Sequence, residues 1–274
     1  MRVAASLLIC TAILPVQLRA AELCRFAGNT DYDGKVDVTT KVSVSGDVTR
    51  VDVAVTFEAT TMFWLRMHYL VEEISVWRSG VVQDVALNTR EFVNSHIVRQ
   101  QWDQFRRVGD TLKARRVQGK RPAEFAARYP DFARHWDPTD FTRPWLRDYD
   151  AAKPEQRPDL DMAAAGPTMQ TPLALAFYWV RFLPRGGATL PVFLLGFKAD
   201  KRADLPIAGT PRRGDMLWRT PLRHPDLSAS PVSSATALTS PDHHLLDLSF
   251  DLFGPRGSAH GDISQLGCTG RAAG

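Results

Sequence analysis

The chain lacks the short motifs that announce the commoner enzymes. It has no Gly-x-Ser-x-Gly turn to hold a strained nucleophile, no Gly-Lys-Ser/Thr loop to cradle phosphate, no dinucleotide glycine fingerprint and no Cys-x-x-Cys pair. Cysteine is scarce, with 3 in 274 residues. Asn29, Asn88 and Asn94 are the only asparagines, and none opens an Asn-x-Ser/Thr triplet, so N-glycosylation has no acceptor. Beyond the first 20 residues no run is long and apolar enough for a membrane-spanning helix. A charge excess is missing too: 34 Lys and Arg face 30 Asp and Glu, which argues against a nucleic-acid protein.

What is present begins at the N-terminus. Met1 and Arg2 precede an apolar run from Val3 to Leu18, and the small pair Ala20-Ala21 follows, the pattern of a secretory signal peptide over residues 1–20. Cleavage is expected after Ala20 or Ala21, with export to the periplasm or beyond. Thr11, Pro15, Gln17 and Arg19 interrupt the run, which falls short of the about 20 clean apolar residues a spanning helix needs; an uncleaved anchor is the competing reading. Loss of residues 1–20 removes Arg2 and Arg19 and no acid, lowering the formal net charge from +4 to +2. Leu23 before Cys24 and Ile9 before Cys10 are too large for a lipid-attachment site. Cys10 lies inside the signal, which leaves Cys24 and Cys268 near the two ends of the exported chain. In an oxidising compartment they are natural partners for a single disulfide. On the chain-entropy model so long a closed loop contributes about 5 kcal/mol. The expected role is a staple across the ends of an open sheet, whose first and last strands need not be neighbours and which hydrogen bonding would leave untied.

Period-two alternation predicts a run of antiparallel strands through the first half. Val36, Val38, Thr40, Val42 and Val44 alternate with polar residues, Ser45-Gly46-Asp47 turns the chain, and Val51, Val53, Val55 and Phe57 repeat the pattern. A long strand is expected over 61–78, with Phe63, Leu65, Met67, Tyr69 and Val71 on one face and Trp64, Arg66, His68 and Leu70 on the other. The apolar parity then shifts to Ile74 and Val76, which predicts a bulge or solvated bend at Glu72-Glu73. Ser79-Gly80 and Val108-Gly109-Asp110 close two further hairpins. The cations Arg106, Arg107, Lys113, Arg115, Arg116 and Lys120 around the second read either as a patch for anionic surfaces or as a charged edge.

The pattern breaks over residues 119–170, an insertion with a short helix from Pro122 to Tyr129 and prolines at 130, 138, 144, 154, 158 and 167. Its aromatics, including Trp136 and Trp145, are spaced three to five apart through Tyr149, so the first part should pack as a flap; 151–170 reads as a solvated linker. Thr171 and Pro172 then suit the N-cap and first turn of a helix running to about 183, apolar nearly all round, with a buried strand as the alternative. Leu190 to Lys198 is a strong strand, 199–242 reads as irregular except near Met216 to Thr220, and a closing hairpin spans Leu246 to Cys268. Residues 21–274 are thus expected to form a single, mainly β domain: a curved antiparallel sheet around an apolar helix.

This order, with Pro172 to Pro184 as the helix, Gly186-Gly187, the strand opening Pro191-Val192-Phe193 and a final hairpin containing Gly261-Asp262-Ile263, resembles bacterial periplasmic families of unknown function with the half-barrel fold of the LolA/LolB lipoprotein carriers. The resemblance covers residues 30–118 and 171–267 and implies an apolar ligand in the concave face; it carries over no catalytic residue, and the insertion departs from it. From the residues themselves, Trp64, Arg66 and His68, with Trp136, Trp145 and Trp179, are candidates to line a cavity that grips a polar head and an apolar body. The competing reading puts the β-strand group on an outer sheet face. His243, His244, Asp247, Asp251 and His260 offer metal-ligand chemistry within eighteen residues, but the two aspartates also fit the solvent-facing side of a strand. The expected function is non-enzymatic, without a cofactor: binding or carrying an apolar or lipidic ligand, or assisting envelope assembly through a partner protein. The alternative is a metal-dependent hydrolase built on the C-terminal His/Asp group.

Overall fold

The computed structural model describes residues 20–31, 33–61, 65–94, 96–109, 111–119, 160–163, 171–194, 201–221, 232–254 and 257–270. The first half is a meander of β1 (Ala20–Thr30), β2 (Gly34–Ser45), β3 (Val48–Thr61), β4 (Leu65–Arg78), β5 (Val81–Val93), β6 (His96–Val108), β7 (Thr111–Gly119) and β8 (Leu160–Ala163). A short helix α1 (Pro172–Phe177) and a 3-10 turn (Trp179–Phe182) follow. The second meander is β9 (Ala188–Leu194), β10 (Lys201–Arg212), β11 (Asp215–Pro221), β12 (Val232–Thr239), β13 (Leu245–Gly254) and β14 (Gly257–Gly270).

All fourteen strands join one antiparallel sheet in the order β8-β7-β6-β5-β4-β3-β2-β1-β14-β13-β12-β11-β10-β9. Each meander is held by hairpin turns whose residues tolerate the left-handed backbone: Gly46, Ser79-Gly80, Asn94, Gly109 and Arg213-Gly214 all have positive φ. The two meanders meet at the β1–β14 ladder, and β8 and β9 are the outer strands, not paired with each other among the described residues. Helix α1 packs on β3 and β4 from one meander and on β9 from the other. Strands so far apart in the order reach one helix only if the sheet curls around it, so the architecture is a curved, unclosed barrel.

Its core is the concave face. Phe26, Val36, Val38, Val42, Val51, Val53, Trp77, Val85, Leu205, Ile207, Trp218, Ala237, Leu245 and Ile263 are buried against Ala174, Leu175, Phe177 and Tyr178. Close packing of the large rings needs glycine beneath them: a Cβ on Gly261 would stand 2.6 Å from the Phe250 ring, and one on Gly209 2.6 Å from that of Trp218. At the edge, Pro191 in β9 removes a donor that would invite another strand.

Several expectations need correction. The first and last strands are direct neighbours, because residue 24 lies inside β1 and pairs in register with Cys268. The stretch 199–242 holds β10 and β12 besides the anticipated β11, since small residues and prolines at the ends of a ladder hid its alternation. β4 runs through Glu72-Glu73 in unbroken register with β3; the irregularity falls later, where Val76 pairs with Asp84 and Trp77 with Val82. The helix is one short α segment plus a 3-10 turn instead of a continuous rod to 183. Leu160–Ala163, read as linker, adds a short strand to β7; the rest of the insertion, with Trp136 and Trp145, lies outside the described residues, as does Trp64.

Candidate functional site

Two buried carboxylates tie the helical segment to the wall. Glu73 on β4 shares the concave parity of Ser75 and Trp77 and is 1% exposed. It accepts hydrogen bonds from the Thr171 hydroxyl, from the backbone N–H of Ala174 at 3.1 Å and from that of Leu173 at 3.3 Å. Thr171 makes no side-chain cap of its own; the wall supplies the anion that the helix start requires. Burial pushes the Glu73 carboxyl up to about 7, against the opposing pull of those three donors. Nothing in the sequence marks Glu73 apart from Glu72; the signal was the unbroken parity of Tyr69, Val71, Glu73, Ser75 and Trp77, masked by the apolar Ile74 and Val76 on the other face.

The second carboxylate is Glu22 on β1, 5% exposed. It takes a bidentate ion pair from Arg181 in the 3-10 turn, at 3.0 Å to Oε1 and 2.7 Å to Oε2, the fork geometry that suits a buried guanidinium. The Arg181 guanidinium also lies 4.6 Å from the centre of the Tyr178 ring. The turn before β13 brings His243 and His244 to the same place. His243 Nδ1 donates to the Arg181 carbonyl at 2.6 Å, its ring stacks on Phe182 with centres 5.7 Å apart, and His244 Nδ1 stands 4.0 Å from Glu22.

The remaining metal candidates are elsewhere. His260 pairs with Asp251, four residues along β13 from Asp247, which pairs with Ser264; that separation is about 13 Å. Both ring nitrogens of His260 are engaged, Nδ1 by Asp251 at 2.9 Å and Nε2 by Asp262 at 3.1 Å, and its backbone N–H donates to Asp31. The Asp251 hydrogen bond first, then the neighbouring Asp262, raises the His260 pKa above the ordinary value. Among the described residues the ligand atoms that converge belong to Glu22, Cys24 and Cys268, and those sulfurs are joined in a disulfide with Cα atoms 4.1 Å apart. Among the described residues, the His/Asp candidates of the C-terminal hairpin are thus split between two places and do not converge on one set.

The concave wall continues past the helix. Beyond Val53 and Glu73 it presents the register pairs Val55 with Val71, Phe57 with Tyr69 and Ala59 with Met67. These residues are only partly buried, unlike those facing the helix. Phe57 and Tyr69 rings lie 6.1 Å apart, and the Tyr69 hydroxyl donates to Glu91 at 3.2 Å. Burial and the Glu91 charge push that phenol up to about 12, so it stays a donor. Trp179 stands at the helix end of the concavity, edge-on to Trp77 at 5.1 Å. Arg66 and His68 lie on the other face of β4, outside the concavity; strand parity separates them from Trp179. An open depression of about 360 Å³ bordered by Ala21, Glu22, Leu23, Lys41, Thr269 and Gly270 marks the outer end of the β1–β14 seam.

No family model and no curated protein matches the chain. Among solved structures, a beta-barrel-like protein of the domain of unknown function DUF1849 from Brucella abortus is similar, with a TM-score of 0.55 over 93% of this chain and 99% of that one at 8% identity. At that identity the likeness is one of fold: a barrel-like sheet whose function is not established.

Proposed function

We propose that this is an exported, single-domain binding protein without catalytic activity, which holds an apolar or lipidic ligand against the concave wall of β3–β5 beyond the helix, in the manner of half-barrel carriers of the LolA/LolB kind. What supports the reading is the uneven burial of that wall: Val51, Val53 and Trp77 are sealed by the helical segment, while Val55, Phe57, Met67, Tyr69 and Val71 continue the same face only partly covered. Apolar side chains converging with one fixed polar pair, Tyr69 and Glu91, make the composition of a site for an amphipathic molecule. The export part of the proposal rests on reading the N-terminal segment as a signal peptide and is supported by the disulfide, which reducing compartments disfavour.

The test is recovery of the protein from the cell envelope for lipid extraction, paired with titration by 11-(dansylamino)undecanoic acid. Co-purified lipid and saturable fluorescence are expected, with affinity at least tenfold weaker in Phe57→Asp while that variant still unfolds cooperatively. A cooperatively folded protein with neither lipid nor saturable uptake would sink the reading.

A further inference from the structure

The convex face of β4–β5 carries a polar group that the ligand wall does not use. Three successive register pairs stand there, Glu72 with Asn88, Leu70 with Arg90 and His68 with Phe92. All six side chains point away from the helix, because Glu73, Ser75 and Trp77 alternate with this set along β4. Glu72 Oε2 accepts from Asn88 Nδ2 at 2.8 Å and from Arg90 at 2.9 Å. The His68 and Phe92 rings stack with centres 4.9 Å apart and planes within 19°.

The group is incomplete. Asn88 is 7% exposed, yet its Oδ1 finds no hydrogen-bond partner among the described residues, and neither do Arg90 Nε nor His68 Nε2. The amide cannot be turned to cure this, since a flip would aim its oxygen at the Glu72 carboxylate. Buried polar atoms are rarely left unpaired without a reason. Here an acceptor and a donor are orphaned on two side chains that both bond Glu72 Oε2, beside a carboxylate and guanidinium that remain 41% and 29% exposed.

We propose that this face is a binding site for a neutral saccharide. The hydroxyl groups of a sugar ring can both donate to Asn88 Oδ1 and accept from Arg90 Nε–H, which neither a carboxylate nor an ammonium group does. Glu72 and the Asn88 oxygen repel an anion, and Arg90 repels a cation, so the pair selects a ligand without net charge. Leu70 and the His68–Phe92 stack lie one and two register steps further on, about 7 Å per step, and provide the apolar wall against which the C–H face of a second sugar ring rests. The Glu72–Arg90 pair, only part-buried, can rearrange around an incoming hydroxyl. This site lies on the opposite side of the sheet from the apolar wall and stands or falls independently of it.

Calorimetric titration of the folded full-length protein with maltotriose, cellotriose and chitotriose tests it. At least one should give saturable heat, and Glu72→Gln and Arg90→Lys, which keep side-chain shape or charge, should each weaken it at least tenfold without lowering the melting temperature. Phe57→Asp, on the concave wall, should leave sugar binding unchanged. Absence of saturable heat with all three sugars, or binding indifferent to both convex-face variants, would overturn the proposal. So would a crystal structure in which one ordered water joins Asn88 Oδ1 to Arg90 Nε in a protein that shows no sugar heat.

Discussion

The two meanders grip the same helical segment by different means. The N-terminal one reaches it with charge: Glu73 caps the start of α1 and Glu22 pairs with Arg181 at its end. The C-terminal one reaches it with apolar surface from Leu205, Ile207, Trp218, Leu245 and Leu248, adding a single polar contact from His243. Length differs locally as well. β3 and β4, which carry the partly covered wall, have 14 residues each, whereas β9, β11 and β12 have 7, 7 and 8, although β10, β13 and β14 reach 12, 10 and 14. At about 3.3 Å per residue β3 and β4 overshoot the three short strands by about 20 Å. The long pair therefore both holds the helical segment and continues as a partly covered wall beside it. Directional polar ties fix where the helix sits along the long strands; non-directional apolar contact suffices where the strands end with it.

The largest effect should come from uncoupling the halves. Replacing Cys24 and Cys268 by alanine opens a loop of 244 residues and should cost about 5 kcal/mol on the chain-entropy model, less whatever the intact β1–β14 ladder retains, measured by urea unfolding. Breaking the charged grip comes next: Arg181→Met leaves Glu22 buried and unpaired and should cost about 4 kcal/mol, most of it recovered in the double variant with Glu22→Gln. The apolar grip gives a similar figure with a different signature. Trp218→Ala should cost about 4 kcal/mol by cavity formation, and no second substitution on the N-terminal half should restore it. Glu73 makes the comparison pH-dependent. Its carboxyl titrates near 7 in the folded chain against an ordinary 4.5, so the folded state holds that proton more tightly than the unfolded one. The associated stability is complete below about pH 4.5 and is lost as pH rises through 7, up to about 3 kcal/mol; Glu73→Gln should abolish the slope. Thr171→Val, the smallest change, should cost about 1 kcal/mol and move the midpoint of that slope upward by removing one donor to the carboxylate. Equal pH profiles for wild type and Glu73→Gln would show that burial does not raise the Glu73 carboxyl.

The sequence made the strands legible where one face is wet. Val36 to Phe57 alternates cleanly because β2 and β3 show one side to solvent, and the turns at Gly46, Gly80 and Gly109 announce themselves by residue type. The start of the helix at Pro172 and the curved mainly β architecture were legible for similar local reasons, whereas the cysteine pairing was legible from count alone, because Cys10 falls inside the expected signal and leaves one pair. β5 is buried on both faces from Val85 to Thr89, and a polar residue inside such a strand carries no sign of which face it serves. The same ambiguity made Glu73 look like part of a bend. Pairing of β1 with β14 is a contact across the whole chain, and no local pattern encodes it. Arg181 and Glu22 are far apart in sequence, so their union was invisible. His243, His244 and His260 are close in sequence yet point to separate partners, because a tight turn fixes the first two and a cross-strand ladder the third.

The placement of β1 has a consequence for the order in which the fold can be completed. Its inner neighbour β2 follows at once in the chain, but its other neighbour is β14, the last of the described strands in chain order. Until that strand arrives, β1 presents an unpaired edge with an unreacted Cys24, the kind of edge that recruits foreign strands. Closing the seam is a contact of very high sequence separation and so a slow one. Joining Cys24 to Cys268 takes two electrons and two protons from the pair of thiols and so needs an external oxidant; the bond can form only once both strands have been made and stand in the same oxidising compartment.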